Sequence, residues 1–432
     1  MSIQYLIAAL ICVTAIARYI TYRYIKLPKS IGLTLITLAI SITVLTLMSF
    51  SQDWILPVKN ILGGINFNTT VMDGMLSFLL FASALHINTL ELSKHKRTIG
   101  ALATASVVLT CCLLGYFTWY ITGLFNYHLP LLPCLLFGAL IAPTDPIAVL
   151  AVMKKTSISN AIKMKITGES LFNDAVGIIL FVLMLQLVTG EIQKLQWQHV
   201  AQLVAQEGIG GVVLGYILGV TTSYFLRRVN DDETAIIITL ALVTGGYALA
   251  TALHASGPVA MVVAGLVIGD QCRKPHFSAN TVKRLYSFWG LLDDILNSFL
   301  FSLIGLEVLS IKMHLEVILL GSIIFMLLIL VRLISISIPI LVFEKYKKGT
   351  AKMITVMTWG GMRGGLSIAL ALSIPSSVPE KNAIISFTYV IVVISILLQG
   401  LSLQPLINTL YPGRKKIAEI NAGTNVDNKK TA

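Results

Sequence analysis

Long apolar segments separated by short polar loops fill almost the whole chain. A helix needs about 20 mostly apolar residues to cross a bilayer, and thirteen segments come near this length. The predicted spans, numbered 1 to 13, cover residues 3–20, 30–50, 69–90, 98–125, 129–153, 163–188, 198–226, 233–253, 256–270, 286–308, 314–342, 351–374 and 384–410. The pattern therefore predicts an all-α polytopic membrane protein with about 13 transmembrane helices.

Two of these spans carry residues that interrupt a helix in its interior. Span 5 contains IAPTDPIAV, in which Pro143 and Pro146 each remove a helical hydrogen bond. Span 12 contains TWGGMRGGLS, with four glycines around Arg363. Irregular backbone at membrane depth survives only when it is buried in protein or lines a wet cavity. Both spans should therefore be broken near the middle of the membrane.

The positions of the two interrupted spans indicate an internal repeat. Span 5 is fifth in the set 1–6, span 12 is fifth in the set 8–13, and span 7 between them gives the two sets opposite orientations. This predicts two six-helix inverted-topology repeats with crossed, interrupted helices 5 and 12, and transporters place their binding sites at such breaks. A single membrane transport domain would cover 1–411, with the first repeat at 1–190, the linker helix 7 at 191–230 and the second repeat at 231–411.

The loops between spans alternate in charge. Lys and Arg are concentrated after the odd-numbered spans and are scarce in the alternate loops. The positive-inside rule then places the N-terminus outside and the C-terminus in the cytoplasm, in a bacterial-type inner membrane. Residues 412–432 are predicted to form a short disordered cytoplasmic tail.

Composition agrees with this assignment. The chain is 56% hydrophobic and 12% charged, with a mean hydropathy of +0.84, whereas a soluble domain has about a quarter of its residues charged. The net charge of +12 is explained by the cytoplasmic loops, so lipid and not nucleic acid is the expected partner. The five cysteines follow no pairing or metal-ligand spacing, and no cofactor is expected.

The segment GESLFNDAVG, residues 168–177, carries carboxylates to membrane depth at the start of span 6. Ser170 and Asp174 share one helix face, and Glu169 and Asn173 form the adjacent stripe. Asp145 lies in the break of span 5. Carboxylates beside free carbonyls suit a hard monovalent cation, and burial disfavours the charged form of a carboxylate. A buried carboxylate can therefore hold either a proton or a metal ion. The structural alternative is that these polar side chains only join neighbouring helices.

Arg332 in span 11 needs a partner at membrane depth. Glu169 is the expected one, in an ion pair that holds spans 6 and 11 together; the alternative is that Arg332 extends to the cytoplasmic interface. Arg363 in the glycine-rich break can offset the carbonyl ends of half-helices.

Two further clusters have simpler interpretations. In span 10, three polar residues lie close together on a helix, and they either shape the field of a cytoplasmic cavity or form an interfacial polar turn: Asp293, Asp294 and Asn297. In span 7, a stripe of small residues predicts close helix packing: Gly211, Gly215 and Gly219.

Four motifs, in this order, resemble those of a known family: APTDP, GESLFNDAVG, FWGLLDDILNSFLFSLIGLEV and WGGMRGGLSIALALSIP. The chain is similar over nearly its whole membrane region to the monovalent cation:proton antiporter-1 family, the sodium/proton exchangers that include the bacterial NhaP type. The resemblance implies thirteen spans, an inverted repeat and a homodimer.

The resemblance also implies a role for each matched residue. Asp174 would bind cation and proton alternately, and Asn173 before it matches the Asn-Asp pair associated with electroneutral exchange. The Na⁺ site would be completed, directly or through water, by Ser170, Asp145 and the Thr144 main chain. Glu169 and Arg332 match the family's stabilising ion pair, and Arg363 matches the arginine of the second crossing helix. One departure is LLFASAL in span 3, where Ala82 stands in place of a glutamate of several family members. The resemblance therefore does not decide which cation is preferred.

The leading hypothesis is electroneutral one-for-one antiport of Na⁺ or Li⁺ against H⁺, serving pH homeostasis. Cation and proton would compete for Asp174 while the bundle of spans 4–6 and 11–13 moves against a dimer-forming scaffold. K⁺/H⁺ antiport is the alternative within the family. An intramembrane aspartyl protease using Asp145 and Asp174 is a distant alternative whose Gly-x-Gly-Asp and Tyr-Asp settings are absent, and an ion channel lacks a visible filter repeat. The chain is therefore not expected to be an enzyme.

Overall fold

The computed structural model describes residues 3–25, 27–48, 70–153, 156, 158–192, 196–229, 231–275, 277–311, 314–344 and 349–411. Every regular element within these ranges is helical, which confirms the all-α class. The predicted tail 412–432 lies outside the described residues. Seven described helices are each long and apolar enough to cross a membrane: Lys29–Leu47, Lys96–Leu124, Asn160–Thr189, Trp197–Leu226, Asp232–Ala252, Leu315–Phe343 and Lys381–Leu410. The count of thirteen spans, the inverted repeat and the domain boundaries remain predictions.

The helices follow the predicted spans with shifted ends. Span 1 occupies Ile3–Ile20, followed by a π-helical turn at Thr21–Ile25, and span 2 occupies Lys29–Met48. Span 3 consists of Thr70–Met75 and Leu76–His86, and span 4 consists of Lys96–Ala103 and Ala105–Leu124. Span 6 occupies Asn160–Thr189, and span 7 consists of Trp197–Leu203, Val204–Ile209 and Gly210–Leu226. Span 8 occupies Asp232–Ala252, and span 9 occupies Gly257–Cys272. Span 10 consists of Ala279–Leu306 and Glu307–Leu309, and span 11 occupies Leu315–Phe343. Span 13 consists of Lys381–Ile394, Ser395–Gln399 and Gly400–Leu410.

Span 3 ends earlier than its hydrophobic pattern predicts. The helix stops at His86, and a separate short helix follows at Thr89–Lys94. Asn88 begins that helix, because its Oδ1 accepts hydrogen bonds from Leu90 N at 3.0 Å and from Glu91 N at 3.3 Å. An asparagine that caps a new helix competes with continuation of the old one.

Both predicted interruptions are present. Span 5 consists of half-helix 5a, Leu131–Ile141, and half-helix 5b, Ile147–Met153. Span 12 consists of half-helix 12a, Thr350–Trp359, and half-helix 12b, Gly365–Ser373. The two breaks touch, because Asp145 N donates a hydrogen bond to Met362 O at 2.8 Å. The broken segments therefore meet inside the protein.

The helices pack in two groups. Spans 4, 5, 6, 11, 12 and 13 form one group, named the transport group after the hypothesis that it moves, with one apolar core beside half-helices 5a and 12b and another beside 5b and 12a. Spans 1, 2, 3, 7, 8, 9 and 10 form a scaffold group; spans 3, 7, 8, 9 and 10 pack around the buried Trp289. Spans 1, 2 and 10 also contact half-helix 12b and span 13 through a third apolar cluster. The broken helices therefore lie within one group and against the other.

Span 7 packs closely on span 9 through its stripe of small residues, as predicted. A Cβ added at Gly215 would overlap the backbone of Ala260, and Gly211 and Gly219 face Val259 and Val267 at similarly short range. In a membrane, where lipid tails are as apolar as the protein, such close backbone approach is a main source of helix association.

We expect Gly215→Ala to lower the thermal unfolding temperature, because the new methyl group forces spans 7 and 9 apart at a cost of about 1–3 kcal/mol. Gly245→Ala is the matched control, since nothing lies within 4 Å of a Cβ at this helical glycine and alanine favours a helix by about 0.5–1 kcal/mol. Thermal unfolding of the detergent-purified variants measures both. Equal unfolding temperatures for the two variants would show that this contact does not stabilise the scaffold.

Candidate ion-binding site

A cavity of about 940 Å³ lies between the transport group and the scaffold group. Spans 2, 3 and 10 line one wall, and spans 5, 6 and 12 line the other. The exposed Lys29 and neighbouring residues of the basic loop after span 1 also line it. Asp145 and Asp174 both line this cavity. The two carboxylates predicted to bind the ion are therefore brought to one water-accessible space.

Span 6 divides its polar residues between the cavity and the protein interior. Ser170 and Asp174 line the cavity, as their shared face predicts. Asn173 is fully buried and does not line it. Its Nδ2 donates to Thr144 Oγ1 at 2.8 Å, and its Oδ1 accepts from Thr144 N at 3.5 Å. Asn173 is also predicted to be a cation- and proton-binding residue, and this role remains a prediction; in the structure its side chain holds Thr144 in place.

Thr144 connects the break of span 5 to span 6. Its Oγ1 lies 3.1 Å from Ser170 Oγ, in addition to the bond from Asn173. The close approach of the two helices depends on Gly177, where a Cβ would overlap the ring of Pro143. The missing side chain on this face of span 6 therefore allows the proline-containing break to lie directly against the GESLFNDAVG segment.

Asp145 is held at the crossing of the two broken helices. Pro146 has no N–H, so the first amide that half-helix 5b offers is that of Ile147, which donates to Asp145 Oδ1 at 2.8 Å. On the other side, Gly364 of span 12 leaves room for the carboxylate, which a Cβ at that position would overlap. Asp145 therefore caps a half-helix and faces the cavity with the same side chain.

The atoms at the crossing that could coordinate an ion are oxygens. They belong to residues that all line the cavity: Thr144, Asp145, Ser170 and Asp174. Within the described part of the chain, no group of three or more His, Cys, Asp or Glu side chains forms a metal cluster. Two carboxylates with hydroxyl and carbonyl oxygens suit a hard monovalent cation better than a transition metal. The same arrangement can also accept a proton on either carboxylate.

Arg332 and Glu169 form an ion pair on the far side of span 6. Arg332 Nη2 lies 2.9 Å from Glu169 Oε1, and the side chains are only 5% and 2% exposed. The guanidinium occupies space left by Gly361, where a Cβ would overlap it. Arg332 therefore does not extend to the membrane interface. The pair joins spans 6 and 11 next to the break of span 12, and its stabilising role remains a prediction.

Arg363 is buried inside the break of span 12. Its backbone N donates to Ser395 Oγ at 3.0 Å, and its Nη1 donates to Gly361 O at 3.1 Å. Its Nε and Nη2 have no hydrogen-bond partner among the described residues. The guanidinium thus lies at the C-terminal end of half-helix 12a, where a positive charge is favoured by the exposed carbonyl groups.

The polar turn of span 10 lines the cavity, with Asp293, Asp294 and Asn297 all contributing to its wall. Asp294 Oδ2 accepts from Arg18 Nη2 at 3.0 Å and from Lys29 Nζ at 2.5 Å. Sequence reasoning gave neither cation a partner. The position of Arg18 inside the apolar span 1 was a usable signal, since an ionisable residue at that depth needs a partner.

Ala82 lies on the face of span 3 that points away from the ion site. It is 1% exposed and belongs to the apolar cluster around Trp289. The next residue, Ser83, lines the cavity. The effect of Ala82 on ion preference therefore remains a prediction, and the structure places it outside the cavity wall.

Residues 8–409 match the family model described as "Sodium/hydrogen exchanger, transmembrane". The chain belongs to the sodium/hydrogen exchanger family. This confirms the resemblance and identifies a membrane transporter, not an enzyme. The chain is 40% identical over 419 residues to the Na(+)/H(+) antiporter NhaP of Pseudomonas aeruginosa, covering 95% of this chain and 97% of that protein. It is 29% identical to the Na(+)/H(+) antiporter NhaH of Halobacillus dabanensis, over 94% of this chain and 97% of that protein.

A solved structure shares the fold of this exchanger. The sodium proton antiporter MjNhaP1 from Methanocaldococcus jannaschii superposes with a TM-score of 0.72 at 21% identity, covering 95% of this chain and 98% of that chain. At this identity the likeness concerns the fold alone.

We expect Arg332→Met to destabilise the protein by about 3–5 kcal/mol, because it leaves the Glu169 carboxylate buried without its partner. The double variant Glu169→Gln/Arg332→Met should recover part of this loss, since no uncompensated charge remains. Arg284→Met is the control, because Arg284 itself is largely exposed in its pair with Asp232 and such a pair contributes at most about 1 kcal/mol. Unfolding of the purified variants measures the differences. A double variant less stable than either single variant would contradict a structural ion pair.

Proposed function

We propose that this exchanger moves one Na⁺ or Li⁺ out of the cytoplasm for one H⁺ moving in. The observation that carries the proposal is the meeting of Asp145 and Asp174 in one cavity at the crossing of two broken helices. The names of the relatives, which are Na⁺/H⁺ antiporters, support the choice of ions. Na⁺ would be held by Asp174, Asp145, Ser170 and the Thr144 main chain, directly or through water.

The charges beside the crossing support exchange at a single site. Arg332 and Arg363 supply two positive charges, and the carboxylates of Glu169, Asp145 and Asp174 supply three negative ones. Lys165, the other buried cation of span 6, is paired with Glu344 and adds no net charge. With all five groups charged, one negative charge is left over, and one Na⁺ or one H⁺ cancels it. Moving uncompensated charge through a low-dielectric region is expensive. The loaded transport group can therefore cross, whereas the empty one is held back, which couples the two ions.

Asn173 supports electroneutral exchange through its lack of charge. Its amide donates to Thr144 Oγ1, which a carboxylate at the same position could not do. The residue therefore keeps the break of span 5 in place without adding a second titrating group, and the ion and the proton compete for Asp174.

The conformation described is the inward-facing state of this cycle. The cavity wall includes Leu27, Pro28 and Lys29 of the basic loop after span 1, which the positive-inside rule assigns to the cytoplasm. Leu76 and Leu80 of span 3 belong to one apolar cluster with Ile178 and Leu366 of the transport group. Separation of this apolar contact would open the outward-facing state as the transport group moves against the scaffold.

The same proposal includes the assembly and the setting of the protein. We infer a homodimer formed through the scaffold, an external N-terminus, a cytoplasmic C-terminus and a role in pH homeostasis. K⁺/H⁺ exchange by the same residues is the alternative, and a direct comparison of the three ions decides between them.

We expect Asp174→Asn and Asp174→Ala to abolish Na⁺-dependent proton movement, because neither side chain can hold a proton and a cation alternately. A fluorescent pH reporter in everted membrane vesicles measures the exchange. Glu233→Gln is the control, since this exposed carboxylate lies outside the cavity and should leave the exchange unchanged. Full exchange by either Asp174 variant would refute the assignment.

We expect the exchange rate in proteoliposomes to be independent of membrane potential, because one charge moves in each direction. The assay compares Na⁺, Li⁺ and K⁺ with and without a clamped potential. Acceleration by a potential would contradict the one-for-one ratio inferred from Asn173, and a preference for K⁺ would select the alternative ion.

A further inference from the structure

One peptide unit in the break of span 12 is hydrogen-bonded on both of its sides. It joins Met362 to Arg363, between half-helices 12a and 12b, where the backbone needs partners outside the helix. Its carbonyl, that of Met362, accepts from Asp145 N at 2.8 Å. Its N–H, that of Arg363, donates to Ser395 Oγ at 3.0 Å. Because the two groups of a trans peptide point in opposite directions, this unit connects Asp145 of span 5 to Ser395 of span 13.

The hydroxyl of Ser395 is oriented for this contact. Ser395 begins a π-helical turn of span 13, Ser395–Gln399, and such turns occur frequently at functional sites. The hydroxyl donates to Gln399 Oε1. Since the backbone N–H of Arg363 can only donate, the serine oxygen uses its proton for Gln399 and a lone pair for Arg363. Ser395 and Gln399 are 0% and 3% exposed, so both bonds are shielded from water.

Asp145 lies at the other end of this series of hydrogen bonds. Its N–H is bound by the anchored peptide unit, and its Oδ1 accepts from Ile147 N at 2.8 Å. Asp145 lines the cavity, whereas Ser395 and Gln399 do not. A displacement of about 1 Å is enough to weaken a binding site whose ligands are otherwise present. The position of Asp145 therefore depends on side chains of span 13 that do not reach the cavity.

We propose that Ser395 and Gln399 are positioning residues for cation binding, which hold Asp145 in the geometry that the ion requires. They act by anchoring the peptide unit between Met362 and Arg363. The inference rests on the proposed function, since it takes Asp145 as a ligand of the transported cation. A positioning role changes the affinity for the cation in correctly folded protein. A purely structural role changes the amount of folded protein, which lowers the maximal rate and leaves the apparent KM as it is.

Ser395→Ala removes the acceptor of the Arg363 amide without adding charge or bulk. In everted vesicles, the apparent KM for Na⁺ should rise about tenfold, the factor that corresponds to loss of one good hydrogen bond, with the maximal rate changed less than about twofold. Ser395→Thr keeps the hydroxyl and should bring KM back to within about twofold of the wild-type value. Gln399→Leu leaves Ser395 in place without its acceptor, so KM should rise, but by less than in Ser395→Ala.

Ser402→Ala is the matched control. Ser402 also belongs to span 13 and also bonds to span 12, since its Oγ accepts from Trp359 Nε1 at 2.8 Å. This bond ends on a side chain of half-helix 12a and not on the peptide unit bound to Asp145, so its loss should leave KM unchanged. An equal rise in KM for Ser402→Ala and Ser395→Ala would overturn the proposal, because any loosening between spans 12 and 13 would then have the same effect.

A double-mutant cycle identifies the residue through which Ser395 acts. Radiolabelled Na⁺ binding to purified, monodisperse protein gives the dissociation constant directly. Ser395→Ala should weaken binding about tenfold in the wild-type background and should cause no further loss in Asp145→Ala, where the side chain to be positioned is absent. An equal loss in both backgrounds would overturn the positioning of Asp145. If Ser395→Ala is not recovered as folded protein, Gln399→Leu replaces it in the cycle and the same outcomes decide.

This inference and the proposed function fail separately. Exchange by Asp174→Asn would refute the proposed function, whatever the effect of Ser395→Ala. Loss of exchange in Asp174→Asn together with an unchanged KM in Ser395→Ala would leave antiport through Asp174 intact and overturn the positioning role.

Discussion

Two helices are interrupted inside the protein, and the backbone groups they leave unpaired constrain the rest of the structure. Away from water, each unpaired N–H or C=O is costly, so the two breaks have to satisfy each other. Asp145 N bonds to Met362 O, the Asp145 carboxylate caps Ile147, and the guanidinium of Arg363 bonds to Gly361 O. The first of these bonds joins the two breaks, and the other two pair groups within a single break. The ion site exists because this crossing exists.

The charges around the crossing follow from the same constraint. The guanidinium of Arg332 is buried beside the break of span 12, and Glu169 supplies its counter-charge on the side away from the cavity. Gly361 and Gly364 make this possible, because one leaves space for Arg332 and the other for Asp145. Small residues in span 12 therefore allow charged groups from spans 5 and 11 to reach one point. The glycines that interrupt the helix also admit the side chains that stabilise the interruption.

Local signals in the sequence were sufficient for the breaks, since proline and glycine act on their own backbone, and for the face shared by Ser170 and Asp174, since helical periodicity is local. The partner of Glu169 could be inferred because few charges lie at membrane depth. The environment of Asn173 could not be inferred, because it depends on how span 6 is rotated against the break of span 5. The partners of Asp294 were missed for a related reason. Arg18 and Lys29 are separated from it by more than 260 residues, and no local pattern connects them. The early end of span 3 reflects a cap at Asn88 that outweighs a continuous apolar run.

The hydrogen bonds that join Thr144, Ser170 and Asn173 bind the break of span 5 to span 6 within one group of helices. The ligands proposed for the transported ion at the crossing come only from these two spans. Their mutual distances are thus independent of how the two groups of helices are arranged. Discrimination between ions, an equilibrium property, is thereby separated from turnover, a kinetic one. Substitutions in the scaffold would alter how fast ions are exchanged, while the radius and hydration of the preferred ion would be decided in spans 5 and 6.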